Sequence, residues 1–260
     1  MYVIKSPVVF RSTVIILGGE KSVIAGNYLL DKTLGPVDLA YRLTKGDFHL
    51  DIMRVTIPEG WNTFEIAEYL SKNLLEFDTE RFVKLAQEKE GYLFPDTYFI
   101  SPAIKPEDLI EKMSINFNEK IPNISGISTT TYKFEDVIIM ASILEREART
   151  MESRRIIAGI LWKRLKIGMP LQVDSSFLYI NGKGTFELTL DDLKTDSPHN
   201  TYKYKGLPVG PIGNPGEDSI FAAIHPIETK YLYFLTGHDG KMYYGKTFEE
   251  HKKNKAKYLY

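Results

Sequence analysis

The chain reads as an α+β protein, and three observations lead there. Short β-branched runs are interspersed among longer segments with helical periodicity. Several of those segments begin at recognisable helix caps. The last third turns rich in glycine and proline and ends in a hairpin signal followed by a basic helix.

Taken in order, Tyr2–Ile4, Thr13–Leu17 and Asp51–Val55 are expected as short strands, with helices at Lys21–Leu30 and Pro36–Leu43 between them. This small α/β unit, residues 1–55, has little core of its own. Ile57-Pro58-Glu59-Gly60 marks the boundary turn, and residues 56–260 form the second domain. Asn62 caps a helix to about Leu75, with Glu65 completing a capping box. Asp78 caps the next, to about Glu90. Pro106 fits the first turn of a helix reaching about Phe117. Residues 120–133 form a loop. Phe134 to about Thr150 is a central helix, and Ser153 to about Lys166 is its partner, ended by Gly168 and Pro170. Residues 195–217 carry four prolines and four glycines together with His199, Asn200, Tyr202 and Tyr204, the profile of a fixed binding loop. Tyr231–Thr236 and Lys241–Tyr244 make a hairpin around Asp239-Gly240. Thr247 and Glu250 form a second capping box that opens the final helix.

Composition narrows the function. The 260 residues are 43% hydrophobic and 26% charged, with a net charge of −1. That balance argues against a nucleic-acid partner, which draws on basic excess. There is no cysteine, so disulfides and thiolate chemistry are excluded. The histidines at 49, 199, 225, 238 and 251 lack the spacing of a helical metal site, and no nucleotide or serine-hydrolase motif is present; neither metal nor cofactor is expected. No apolar run reaches the ~18 residues of a membrane span. The 16 tyrosines suit sugar or peptide contacts as well as cores.

The residue of greatest chemical interest is Glu145. It follows Val137-Ile138-Ile139-Met140-Ala141-Ser142-Ile143-Leu144, a run broken only by one serine. A carboxylate ending such a run is partly desolvated, which raises its pKa and suits a general acid. Ser142, one turn back, is placed to hydrogen-bond it. Arg149, one turn forward, is placed to ion-pair with it. On the helix alone, a solvated Glu145–Arg149 pair is a better account than a catalyst. Glu147 is the rival carboxylate, pointing roughly 200° away around the helix. The pair cannot flank one scissile bond together, so a two-carboxylate glycosidase would draw its second group from Asp174 or Asp96. Leu171-Gln172-Val173-Asp174 alternates as a half-exposed strand does, and Gln172 and Asp174 fit a solvated strand face as well as a cleft wall. Glu90–Tyr98 reads equally as a core-plugging turn or as a site.

Several segments resemble the endolytic murein transglycosylase (YceG-like) family. They are Glu90-Gly91-Tyr92-Leu93-Phe94-Pro95-Asp96-Thr97-Tyr98, Ala141-Ser142-Ile143-Leu144-Glu145-Arg146-Glu147, Leu171-Gln172-Val173-Asp174, Ser197-Pro198-His199-Asn200-Thr201-Tyr202 and 206–216, with Tyr231–Phe234 and Glu250-His251. They cover about residues 55–260 in family order. The resemblance implies lytic cleavage of the β-1,4 bond between N-acetylmuramic acid and N-acetylglucosamine in nascent peptidoglycan strands, leaving a 1,6-anhydro end. A single glutamate would serve as acid and then base, and the resemblance places it at Glu145 rather than Glu147. Gln172, Asp174, Asn200 and Tyr202 would line the glycan cleft. Residues 1–55 would be part of a LysM-like subdomain. Wall synthases such as penicillin-binding proteins would be partners, and an N-terminal anchor not seen in this chain would hold the enzyme on the outer face of the cytoplasmic membrane. Ser175-Ser176 stands where the family more often has Pro-Thr, and His199 where it has tyrosine. Two alternatives stay open: a hydrolytic muramidase with Asp174 as second carboxylate, and a non-catalytic glycan-binding scaffold. In the lytic reading, Glu145→Gln is expected to abolish cleavage and Arg149 to stand clear of Glu145.

Overall fold

The computed structural model describes residues 6–25, 28, 34–47 and 52–259. The architecture is α+β, with more helix than sheet. It divides into two compact units, Met1–Met53 with Phe99–Pro102, and Arg54–Tyr98 with Ala103–Tyr260. No helix among the described residues is long and apolar enough to cross a membrane.

In the first unit, α1 (Pro7–Ile16) packs on α2 (Pro36–Lys45), burying Val14, Leu39 and Ala40. The expected strand Thr13–Leu17 is therefore helix. Pro7 sits at the first turn, where its missing N–H costs nothing, and the Thr13 hydroxyl donates to Val9 O at 2.8 Å, which absorbs a group that otherwise disfavours helix. The expected helix from Lys21 shrinks to a single turn, Glu20–Ser22, with Val23 extended. Pro36 opens α2 as expected, and Gly46 ends it in the left-handed conformation. The strand expected at Tyr2–Ile4 and the end of the Lys21–Leu30 helix lie outside the described residues.

β1 (Met53–Thr56) and β2 (Thr97–Ile100) form a two-stranded sheet. The second unit is mostly helical. Next come α3 (Thr63–Asn73), α4 (Thr79–Ala86) and α5 (Pro106–Lys120). Asn62 and Glu65 make the full capping box, and Asp78 caps α4 through the Arg81 N–H at 3.0 Å. The core belongs to α6 (Phe134–Glu147), whose residues Val137–Leu144 are all buried, packed by α7 (Met151–Lys166) and α9 (Glu217–Ile224). Ser142, inside that core, donates to Ile139 O at 2.7 Å and accepts from Ile212 N at 3.0 Å, so it is not a partner of Glu145. α8 (Ser176–Asn181) is short. β3 (Tyr233–Thr236) and β4 (Met242–Gly245) pair antiparallel, with Phe234 opposite Tyr244, and α10 (Phe248–Tyr258) follows. Thr247 caps α10, while Glu250 reaches one residue past the cap, to the Lys246 N–H at 2.6 Å.

Two motif segments that carry the family resemblance meet inside this unit. Asn214, fully buried, accepts from the Gly91 and Leu93 N–H groups at 2.9 and 3.0 Å. It donates to Trp61 O and to Glu90, both at 3.0 Å. Glu90 accepts from the Thr63 N–H at 3.0 Å, and burial pushes its carboxyl up to about 7. Gly91 sits at φ +86°, where a Cβ would strike Pro211 at 2.5 Å and Ile138 at 2.9 Å. Only glycine lets the Gly91 turn close against Pro211 and Ile138 here. The Glu90–Tyr98 segment thus belongs to the core.

Candidate active site

The apolar run fixes α6 rigidly, so its C-terminal end delivers two carboxylates to defined places. Glu145 is enclosed, its side chain 4% exposed. Arg154, from α7, donates to one of its oxygens. The Gly216 N–H, at the start of α9, donates to the other at 3.0 Å. Arg154 is itself held by Ala148 O at 3.1 Å and lies 3.7 Å from Asp218. The cation on Glu145 is therefore Arg154, across the α6–α7 junction, and Arg149 is exposed. Glu59 completes the cluster. Burial raises its pKa first, and the charge of Glu145 raises it further against the pull of Arg154. A guanidinium and a backbone amide thus each donate to one of the two Glu145 oxygens.

Glu147 meets the opposite surroundings. Burial pushes its carboxyl up to about 7, the charge of Asp174 adds to the rise, and Ser175 and the more remote Arg164 oppose it. Arg164 is committed elsewhere: it donates to Leu232 O at 2.7 Å and to Leu171 O. Glu147 lines two clefts, and Arg146 and Thr236 are shared with it. One, of about 560 Å³, also carries Gln172, Asp174 and Tyr202. The other, of about 770 Å³, carries Glu59, Trp61, Glu145 and Tyr244.

The segment from Leu171 alternates in burial as a strand would, but it forms no strand. Gln172 takes φ +47°, unusual for a residue with a Cβ, and Ser175 turns the chain into α8. Thr201 holds the distortion: its carbonyl accepts from the Gln172 N–H at 3.1 Å and its hydroxyl from the Val173 N–H at 3.0 Å. Strain of this kind, held by hydrogen bonds beside a cleft, is typical of ligand-facing backbone. The Tyr202 hydroxyl donates to Asp174, fixing that carboxylate.

Of the residues expected from sequence to line the glycan cleft, Gln172, Asp174 and Tyr202 come together on the wall that holds Glu147. Asn200 does not join them. It is 1% exposed, and its amide donates to Leu193 O at 3.0 Å and Thr195 O at 2.8 Å. Its oxygen accepts from the Tyr202 and Lys203 N–H groups at 2.9 and 3.2 Å. With every polar atom used inside the fold, Asn200 shapes the loop that presents Tyr202. Asp96 is exposed, bonded to Thr97 N and Asn116, and lines neither cleft. His199 packs against Tyr179, ring centroids 4.6 Å apart.

Sequence reasoning missed Arg154 and Arg164. A signal was there: with Ile157, Ala158 and Leu161 they occupy one helical stripe that is otherwise apolar, and both are buried. An arginine on a buried stripe needs an anion or carbonyls to meet it.

A model of the YceG-like family matches residues 1–257. The endolytic murein transglycosylase of Bacillus subtilis is 34% identical over 269 residues, covering 93% of this chain and 74% of that protein. Its namesake from Streptococcus pneumoniae is 30% identical over 278 residues, covering 90% of this chain, which spans half the length of that relative. The crystal structure of a YceG-like protein from Listeria monocytogenes is 28% identical and superposes with a TM-score of 0.69 over 96% of this chain and 91% of that one. Several motif segments had suggested a family, and a match across nearly the whole chain settles it: this protein belongs to the YceG-like family.

Proposed function

We propose that the chain is an endolytic peptidoglycan lytic transglycosylase in which Glu147, rather than the expected Glu145, is the general acid and base. The observation that carries this reading is the place of Glu147: a carboxyl titrating near 7, in the wall common to two clefts, beside Gln172, Asp174 and Tyr202. A group that keeps its proton near neutrality can give it to a leaving oxygen and take another back, help worth ~10²–10⁴-fold in rate. Clefts on both sides of it suit a strand cut internally. Glu145, bound by Arg154 and the Gly216 amide, ties α6 to α7 and α9.

In this mechanism Glu147 protonates the glycosidic oxygen as the bond to muramyl C1 breaks and positive charge develops on the ring. The muramyl 6-hydroxyl then attacks C1 and yields its proton to the Glu147 carboxylate. The product carries a 1,6-anhydro ring, no water is consumed, and Glu147 ends as it began. Asp174, its carboxylate fixed by Tyr202, sustains the protonated form of Glu147 and faces the developing cation.

The same nearness of Asp174 favours one second reading, a hydrolytic muramidase with Asp174 as the partner carboxylate. Mass spectrometry of digested, uncrosslinked glycan strands separates the two. Anhydro-muramyl ends support the lytic mechanism, and reducing ends support hydrolysis. In the lytic reading residues 1–55 serve as a LysM-like glycan-binding unit and residues 56–260 as the catalytic domain. The enzyme then works on nascent strands at the outer face of the cytoplasmic membrane, alongside wall synthases.

A further inference from the structure

Between α8 and the 195–217 loop, the chain displays a large aromatic ring in water. Phe186 is 84% exposed, yet it lines the 560 Å³ cleft that Glu147 also lines. The segment is held firmly. Asp192 accepts from Lys183 Nζ at 2.8 and 2.9 Å, from the Thr189 N–H at 2.8 Å and hydroxyl at 2.6 Å, and from Asn181 at 3.1 Å. Those donors, Lys183 foremost, hold its carboxyl down to about 2. The Phe186 ring lies nearly parallel to that of His238, 11° between planes and 6.2 Å between centroids, so one side has a neighbour. Keeping an apolar ring in water forgoes the gain of burying it.

We propose that Phe186 is a stacking platform for a pyranose ring of the glycan strand, at the rim of the cleft served by Glu147. Pyranose rings present a face of C–H groups, and the electron-rich face of an aromatic ring complements it. The contact needs no charge and no hydrogen bond, so it suits a repeating strand that can bind in many registers. The hydrogen bonds to Asp192 order the segment before the strand arrives, so binding does not bear that entropy cost. The assignment rests on the glycan reading of the site and adds to it a contact beyond the sugars that react.

The test uses the full chain carrying Glu147→Gln, which is expected to bind strands without cutting them. Binding of labelled, uncrosslinked glycan strands is measured by fluorescence anisotropy. Adding Phe186→Ala should weaken binding several-fold, Phe186→Trp should retain it, and both should melt at the parent temperature. Asp192→Ala, which loosens the segment, should lose part of the affinity. In the cleaving enzyme, Phe186→Ala should raise KM on long strands far more than it lowers kcat. Unchanged binding by Phe186→Ala, or a tryptophan variant as weak as the alanine one, overturns the platform. A parent that binds no strand at all overturns the glycan reading, and the platform with it.

Discussion

Glu145 and Glu147 leave one helix two residues apart, and they meet opposite electrostatic worlds. The Glu145 side faces Arg154 and the amide that opens α9, so both oxygens of a deeply enclosed carboxyl group are held by donors. The Glu147 side offers burial and the charge of Asp174, and its carboxyl rises to about 7. Burial comes with two donors on one side and with a neighbouring carboxylate on the other. Glu90 adds a second lesson. It too reaches about 7, but its oxygens accept from the Thr63 amide and Asn214, and it lines neither cleft. A raised pKa marks a catalytic candidate only where substrate can reach it.

The largest effect should come from Glu147→Gln. Loss of general acid–base help should cut the rate of strand cleavage by ~10²–10⁴-fold or more, with circular dichroism unchanged. Arg154→Met attacks the other face. It strips the cation from Glu145, Glu59 and Asp218, and stability measured by urea unfolding should fall by about 3–5 kcal/mol. Pairing it with Glu145→Gln should restore part of that loss, because no unpaired buried charge is then left.

The two sides should also separate with pH. Glu147 and Glu90 titrate near 4.5 when unfolded and near 7 when folded. Between those values the folded protein holds more protons. Their contribution to stability is thus fully present below about 4.5 and is lost as pH rises through 7. Unfolding followed from pH 4 to 8 should show this decline, less steep in Glu147→Gln. Cleavage should fall above about pH 7, as the acid loses its proton. Asp174→Asn removes a charge that raises Glu147, and it should move that fall to lower pH. The smallest effect concerns the loop. Asn200→Ala should cost about 1–3 kcal/mol in unfolding, through the groups it leaves unpaired, with its effect on cleavage following stability.

Local chemistry was legible wherever it acts within a few residues. Asn62 with Glu65, Asp78, Pro106, Thr247 and the Asp239-Gly240 turn each act where the sequence puts them. Thr13–Leu17 misled because β-branched residues carry strand propensity, which the Pro7 start and the Thr13–Val9 bond override. Helix α9 went unassigned behind the Gly/Pro-rich loop. The contrast between Glu145 and Glu147 was not legible, because it is made at long range: by Gly216, 71 residues from Glu145, and by Asp174 and Ser175 beside Glu147. Helical spacing pointed to Ser142 and Arg149 instead, one absorbed by the core and the other exposed.

The central claim is that of the two glutamates ending α6, only Glu147 handles the proton. The direct measurement compares Glu145→Gln and Glu147→Gln at matched folded fractions, counting 1,6-anhydro-muramyl ends released from uncrosslinked strands by mass spectrometry. Glu145→Gln should still make these ends while melting at a lower temperature, and Glu147→Gln should make almost none. A folded Glu145→Gln enzyme that makes none, beside a Glu147→Gln enzyme that cuts normally, would contradict the account.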